Sequence, residues 1–276
     1  MIVIDGAKEV QKMKGIVCYY SATGNTKLAI QHIIKKLSIQ FDLCNIARDP
    51  VPNFAQYDIA GFACPVDWLA EPYLMRKFMS ELPTVNGIPA FIFTTFGGLP
   101  GRTLTNLKKA ASLKGFKVIG AHGLHTPDNY PPVLYSGRYK NFGMPNERKM
   151  EALTDFINEL ETAIEDISKG KPVKEAKVRT SLLGAIVGNV SRERSKKAQG
   201  PKFVDEKLCT KCGKCEKGCP YKAIKLDPYP KFDEALCYGC WACYNRCPEK
   251  AIYTKKYREK GQYPGPTEEL KKKLPV

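Results

Sequence analysis

The sequence predicts an α/β chain in which a doubly wound parallel sheet is followed by a small α+β domain built around cysteines. Three observations predict it. Through the first 169 residues, apolar runs of strand length alternate with stretches of helical periodicity. The first of those strands ends in a loop crowded with hydroxyl groups, and eight of the eleven cysteines fall between Cys209 and Cys247. Strands that alternate with helices argue for a parallel sheet covered on both faces.

Composition sets the outer bounds. At 276 residues there is room for one large domain or two modest ones, and 43% hydrophobic residues can bury a real core. No stretch of about 18 apolar residues occurs, so no transmembrane helix is expected. The start, "MIVIDGAKEV", lacks the basic, apolar and small-residue regions of a secretion signal, which makes the cytoplasm the expected location. The net charge of +16 is lopsided: residues 1–169 carry 19 Lys+Arg against 16 Asp+Glu, whereas residues 170–276 carry 25 against 12. Basic surface attracts acidic proteins, anionic lipid or nucleic acid. A nucleic-acid role rests on charge alone and is not expected; an acidic protein partner is, and a homodimer is compatible with the sequence.

The elements follow in order. "GIVCYY" (15–20) reads as a buried strand and "TKLAIQHIIKKL" (26–37) as a helix. The loop between them therefore sits at a helix N-terminus, where unpaired N–H groups and the helix dipole favour a phosphate. It has neither the Gly-x-x-x-x-Gly-Lys-Ser/Thr run of a triphosphate loop nor the Gly-x-Gly-x-x-Gly of a dinucleotide fold. Further strands are expected at Phe41–Ala47, Asp58–Cys64, Pro89–Phe96 and Phe116–Leu124, with helices at about 71–81 and 102–114. A long amphipathic helix, 146–168, carries Met150, Leu153, Ile157, Leu160, Ile164 and Ile167 on one face. Cys18, Cys44 and Cys64 sit among apolar neighbours and are expected in the core.

In open sheets of this kind the ligand lies outside the carboxyl ends of the strands. That rule selects the loops "PVDWLAEP" and "TFGGLPG" after the third and fourth strands. The connection after the fifth, 125–145, is unusually long, and loops of that length tend to be functional. Asn129 and Tyr130 are expected to cover the ligand or to meet the second module; His122 and His125 are open to two readings, proton donors to a bound ligand or structural groups, as lone histidines more often are.

The cysteines form a repeat. "VDEKLCTKCGKCEKGCPYKAI" from Val204 recurs 28 residues later as "FDEALCYGCWACYNRCPEKAI", each copy reading Cys-x-x-Cys-x-x-Cys-x-x-x-Cys-Pro. In this arrangement three close thiolates hold one cubane and the fourth ligates the other. The expected sets are Cys209, Cys212, Cys215 and Cys247 on one 4Fe-4S cluster, and Cys237, Cys240, Cys243 and Cys219 on the second. A disulfide framework does not suit a chain with no secretion signal, and structural zinc takes pairs of Cys-x-x-Cys, not triplets. The first copy is crowded by Lys207, Lys211, Lys214, Lys217 and Lys222, which should raise its potential; the second carries Tyr238, Trp241 and Tyr244, expected to seal the small core.

Residues from about 202 to 256 resemble the bacterial two-cluster ferredoxins. "SATGNT" resembles the Thr/Ser-x-Thr-Gly-Asn-Thr phosphate loop of flavodoxins, and a phosphate-bearing redox partner for the clusters is most naturally a flavin. The resemblance implies a flavodoxin-like sheet of order 2-1-3-4-5 and an FMN whose phosphate is held by Ser21, Thr23, Gly24, Asn25 and Thr26. Trp68 becomes the candidate to stack on the flavin ring, with Thr95, Phe96, Gly97, Gly98 and Tyr130 around it. The loop "PVDWLAEP" lacks the glycine that many flavodoxins place beside the ring.

Together these imply a flavodoxin–ferredoxin fusion of the kind found in anaerobes: residues 1–169 for FMN, a basic linker 170–200, a ferredoxin domain 201–256 and a basic tail 257–276. The linker contains "TSLLGAIVGNV", whose Leu182, Leu183, Ile186, Val187 and Val190 are expected to pack between the modules. The tail is expected to be extended and partly disordered, or wrapped over the ferredoxin domain. The function expected is an electron relay that couples one- and two-electron partners. The alternative is a flavin-dependent reductase of a small diffusible acceptor such as a quinone, nitro compound, metal complex or oxygen, fed through the clusters. Without a dinucleotide pattern, direct use of NAD(P)H is not expected.

Overall fold

Strand β1 (Lys14–Tyr19) is the axis on which the first domain is built, since its Val17 and Cys18 are fully buried, one toward each face of the sheet. The computed structural model describes residues 13–137, 141–178 and 192–276. The remaining strands are β2 (Gln40–Asn45), β3 (Ile59–Pro65), β4 (Pro89–Phe96) and β5 (Lys117–His125). They pair in the order β2-β1-β3-β4-β5, every neighbour parallel. That is the flavodoxin-like doubly wound order, with its switch point beside β1 and β3. The five strands lie within about two residues of where hydrophobic runs put them.

Two helix layers cover the sheet. On one face α1 (Asn25–Lys35) and α5 (Glu147–Ser168), which follows a short helix α4 (Pro131–Ser136) in the long connection, bury Leu28, Ile30, Ile33, Leu153, Phe156, Ile157, Leu160 and Ile164 against β1, β3 and β4. On the other, α2 (Tyr73–Glu81) and α3 (Thr103–Leu113) bury Met75, Phe78, Met79 and Leu107 against Phe62, Ile92 and Val118. Cys18, Cys44 and Cys64 are core residues, as expected, with Cys18 and Cys44 side by side in the β1–β2 register. His122 lies under α5, where its ring stacks with those of Phe93 and Phe156 in a three-ring cluster. Desolvation in that half-buried place pushes its pKa down to about 4, so it is a neutral group.

The second domain has two short antiparallel pairs, β6 (Phe203–Val204) with β9 (Ile252–Tyr253) and β7 (Ile224–Asp227) with β8 (Tyr229–Phe232). Its two short helices, Lys214–Lys217 and Ala242–Arg246, each carry the third cysteine of a motif. The 28-residue repeat is exact in backbone terms: Lys211 and Gly239, Gly213 and Trp241, and Lys222 and Lys250 are all left-handed, with φ between 52° and 72°. Glycine occupies one of these positions in each copy, and a different one each time. The other four residues hold a conformation that costs an L-residue roughly 1–2 kcal/mol, a strain maintained by the closed fold around the cysteines.

The tail departs from expectation. It runs back over the first domain and ends in a helix, Glu268–Lys273, capped by the Thr267 hydroxyl, which accepts from Leu270 N at 3.1 Å. Leu270 and Leu274 are fully buried in the same core cluster as Leu28 and Ile33, and Pro275 O contacts His32 Nδ1 at 2.9 Å. The physical reason is apolar spacing: two leucines four residues apart present one face of a helical turn, and the sheet layer offers the groove. Residues 171–178 also return to the sheet, where Ala176 N donates to Val118 O at 2.7 Å. The apolar face expected at 182–190 lies outside the described residues. Among the described residues, no helix is long and apolar enough to cross a membrane.

Candidate functional site

At the carboxyl ends of β1, β3 and β4 a cleft of about 550 Å³ opens between the two domains. Every residue expected at the flavin except Gly24 lines it: Ser21, Thr23, Asn25 and Thr26 from the phosphate loop, and Trp68, Thr95, Phe96, Gly97, Gly98 and Tyr130 from the other loops. Gly24 makes the turn itself at φ 111°, and a Cβ there would meet Pro266 Cδ of the tail at 2.9 Å.

The loop's side chains are largely spent on holding it. Ser21 Oγ accepts from Gly24 N at 3.1 Å and from Lys27 N at 3.3 Å. The Thr26 and Thr95 hydroxyls pair at 2.8 Å, tying α1 to β4. Asn25 donates to Pro127 O at 3.2 Å and accepts from the Tyr263 hydroxyl at 2.8 Å. Thr23 Oγ1 accepts from Asn129 Nδ2 at 2.7 Å. The backbone N–H groups of Thr23, Asn25 and Thr26 donate to no acceptor among the described residues. They stand at the N-terminus of α1, the arrangement that suits a phosphate.

Around the far end of the cleft the walls are aromatic. Trp68 and Tyr130 meet edge to face, centroids 5.6 Å apart, and Phe96 stacks on His125 at 5.1 Å. His125 Nε2 contacts Gly97 O at 3.0 Å and Asn141 Nδ2 at 2.8 Å, so it pins the long connection to the β4 loop. Gly97 is needed by that connection, because a Cβ would fall 2.7 Å from Asp128 Cα. Gly98 faces open space. Trp68 and Leu69 are both left-handed, at φ 51° and 65°, although neither is glycine. The loop without glycine thus adopts the backbone that glycine usually supplies. An aromatic slot with backbone donors at one end fits an FMN.

The second domain closes the cleft. Tyr221, Tyr238 and Cys240 complete its lining. Tyr238, expected to seal the ferredoxin core, instead reaches the first domain: its hydroxyl donates to Asp67 Oδ2 at 2.7 Å and accepts from Tyr73 N at 3.2 Å, and its ring stacks on Tyr221 at 4.6 Å. A phenol with its hydroxyl bonded outward bridges modules more readily than it fills a core. Trp241 and Tyr244 do form the small core, with Ile252.

The eight motif cysteines surround two cavities in the expected sets. One is lined by Cys209, Cys212, Cys215 and Cys247, the other by Cys219, Cys237, Cys240 and Cys243. Among the described residues, no three Cys, His, Asp or Glu side chains converge on a single metal position. A cubane takes one thiolate at each iron, so its ligands ring a void instead of meeting at a point. The two quartets also share backbone donors: Ala223 N donates to Cys219 Sγ and Ala251 N to Cys247 Sγ, each at 3.3 Å. Burial pushes the Cys215 thiol up to about 11 and Cys243 higher still, so thiolates here need a cation to stabilise them. Two polar atoms in the second quartet's surroundings fit the same reading. The Tyr20 hydroxyl and Trp241 Nε1 are buried with no oxygen or nitrogen partner among the described residues, and Tyr20 faces Cys240, its pKa raised by burial and then by that thiol. Donors placed this way suit the sulfurs of an iron–sulfur cluster.

Residues 208–251 match the family model of the 4Fe-4S dicluster domain. The chain joins a flavodoxin-like domain to a ferredoxin-type domain. Solved structures similar to the flavodoxin-like part include a flavodoxin from the domain Archaea, 16% identical over 55% of this chain and 99% of that one, with a TM-score of 0.41. Another is the flavodoxin of Streptococcus pneumonia TIGR4, 17% identical over 54% and 99%, TM-score 0.43. A third is rubredoxin oxygen:oxidoreductase from the anaerobe Desulfovibrio gigas, 13% identical over 56% of this chain and 37% of that one, TM-score 0.38. The strand order carries the fold without them. No curated protein matches the chain.

Several residues at the join of the flavodoxin-like and ferredoxin-type domains escaped the sequence reading. Asn245 donates to Asn129 O at 2.9 Å and accepts from Tyr263 N at 3.0 Å. With the Tyr263–Asn25 and Asn129–Thr23 bonds this closes a circuit from the phosphate loop through the cluster domain and back. Asn245 sits inside a cysteine motif, which hides it, and Tyr263 sits in a Pro- and Gly-rich stretch that reads as loop. Lys202, buried with its ammonium 3.9 Å from the Trp241 ring, lines the second cysteine cavity; burial lowers its pKa while Cys243, Cys237 and Cys240 oppose that. A lone lysine in a Lys-rich segment gives no signal of such a place.

Proposed function

We propose that the protein is an electron-transfer flavoprotein in which an FMN in the interdomain cleft exchanges electrons with two 4Fe-4S clusters. The observation that carries the reading is Cys240, which lines both the flavin cleft and the second cysteine cavity. Bound FMN supplies one- or two-electron chemistry and each cluster supplies one-electron chemistry, so the pair can match unlike partners. The backbone N–H groups of Thr23, Asn25 and Thr26, with Ser21 and Gly24 shaping the turn, hold the phosphate. Trp68, Thr95, Phe96, Gly97, Gly98 and Tyr130 surround the ring, and the ferredoxin-type domain, through Tyr221, Tyr238 and Cys240, excludes water from its inner side.

The quartet Cys219, Cys237, Cys240 and Cys243 is then the inner cluster site, and Cys209, Cys212, Cys215 and Cys247 the outer one. Cys212 is exposed, and Lys207, Lys211 and Lys214 around it are exposed as well, in no ion pair among the described residues. An acidic one-electron protein would be steered to that face, faster at low salt. A ring enclosed by Tyr130 and the second domain favours such a carrier over a reductase of diffusible acceptors.

The test is anaerobic. Flavin and iron are quantified in the purified protein and a stepwise reductive titration is followed spectroscopically; about one FMN and eight irons per chain, equilibrating within mixing time, are expected. Iron without flavin would reject the reading.

A further inference from the structure

A second hollow, of about 530 Å³, runs between the domains behind the phosphate loop. It shares Tyr20, Ser21 and Ala22 with the flavin cleft and continues over the carboxyl end of β2 to the first cysteine helix. Its character is different. The flavin cleft is walled by aromatic rings, whereas this hollow is faced by four cations, Arg48 from the β2 side and Lys217, Lys222 and Arg246 from the cluster domain. None of the four forms an ion pair among the described residues. Glu216, the one acid on the wall, is engaged as the acceptor for Leu226 N at 3.1 Å.

The cations are also positioned. Arg246 lies over Gly218, where a Cβ would come within 3.3 Å of its Nη1 and 2.7 Å of Lys214 O, and its Nη2 reaches Ser21 O at 3.4 Å. A side chain at 218 would clash with the Lys214 carbonyl and crowd the guanidinium. Lys222 is held left-handed, two residues after Pro220. Four like charges facing one concave space repel each other, and a cleft of one sign focuses its field and concentrates counter-ions. Guanidinium forks in addition match phosphate and carboxylate oxygens. The volume is that of an ordinary small-molecule site.

We propose that this hollow binds a small polyanion, a molecule with two or more phosphate or carboxylate groups, held by Arg48, Lys217, Lys222 and Arg246 across the two domains. The site adjoins the flavin cleft along Tyr20, Ser21 and Ala22, but its four cations lie outside that cleft's lining, and the proposal holds whether or not FMN is the flavin-cleft ligand.

The test is calorimetric titration of the full-length, cofactor-loaded protein, with fructose 1,6-bisphosphate as the phosphate probe and tricarballylate as the carboxylate probe, neither a strong iron chelator. One of them is expected to saturate at one per chain, and whichever binds assigns the group recognised. The double variant Arg48→Glu/Lys217→Glu, both exposed, should weaken binding at least about tenfold with iron and flavin content unchanged. The neutral pair Arg48→Gln/Lys217→Gln should weaken it in the same direction and serves if the reversal does not fold. Lys109→Glu, on the exposed side of α3, should leave it unaltered. Absence of saturable binding by both probes, or equal weakening by Lys109→Glu, would overturn the proposal.

Discussion

The Tyr263 hydroxyl donates to Asn25 Oδ1 at 2.8 Å, joining residues 238 apart and placing the tail of the chain on the phosphate loop. Both are buried, and Asn25 spends its other amide group on Pro127 O. Tyr263→Phe therefore strands a buried acceptor, which costs about 1–3 kcal/mol. The expected outcome is FMN binding weakened about fivefold or more, measured by quenching of flavin fluorescence, with iron content unchanged. Unaltered FMN affinity would mean the loop keeps its shape without the tail.

Leu270 is fully buried against the first domain although it follows the second in sequence. Leu270→Ala should destabilise by about 2–5 kcal/mol, the range for a buried leucine. Denaturant unfolding followed by flavin release should shift to lower midpoint, whereas absorbance of the clusters should move much less. Parallel loss of both signals would show that the two domains unfold as one unit.

Tyr20 presents a buried hydroxyl to the Cys240 sulfur. A donor to a cluster sulfur stabilises the more negative, reduced state, so Tyr20→Phe should lower the potential of the inner cluster. For a bond worth about 1 kcal/mol the drop is roughly 40 mV, readable by EPR-monitored titration. The outer cluster should keep its potential.

His122 has a folded-state pKa near 4, lowered by burial from an ordinary value of 6.5. The unfolded chain takes up the proton first, so the native state loses stability as pH falls from 6.5 toward 4. The loss reaches about 3 kcal/mol, and above pH 6.5 the group has no effect. His122→Phe should flatten the thermal midpoint between pH 6.5 and 5 relative to the parent protein.

Hydrophobic runs expose the sheet because its central strands β1, β3 and β4 are buried on both faces, as in Ile59–Cys64, which a surface loop does not imitate. The grouping of the cysteines into two fours is legible because the Cys-x-x-Cys-x-x-Cys-x-x-x-Cys-Pro spacing repeats, and the same two fours line two cavities. The left-handed backbone at Lys211, Trp241 and Trp68 is not legible, since the closed structure around each imposes what the side chain disfavours. Tyr238 looks like core filler in the sequence because an aromatic between cysteines looks apolar; only its hydroxyl, on Asp67, shows that it faces outward. The tail escaped because two leucines among lysines give too short a pattern to mark a helix.

The chain visits the flavodoxin-like domain, leaves for the ferredoxin-type domain, and comes home to finish the first. A gene cut at residue 256 would keep every cluster cysteine and the whole phosphate loop, yet leave bare the groove that Leu270 and Leu274 fill. Residues 263–274 thus act as a strap: Tyr263 bonds to both domains, and the two leucines beyond it clasp the first one's core, so the two folds share one closure.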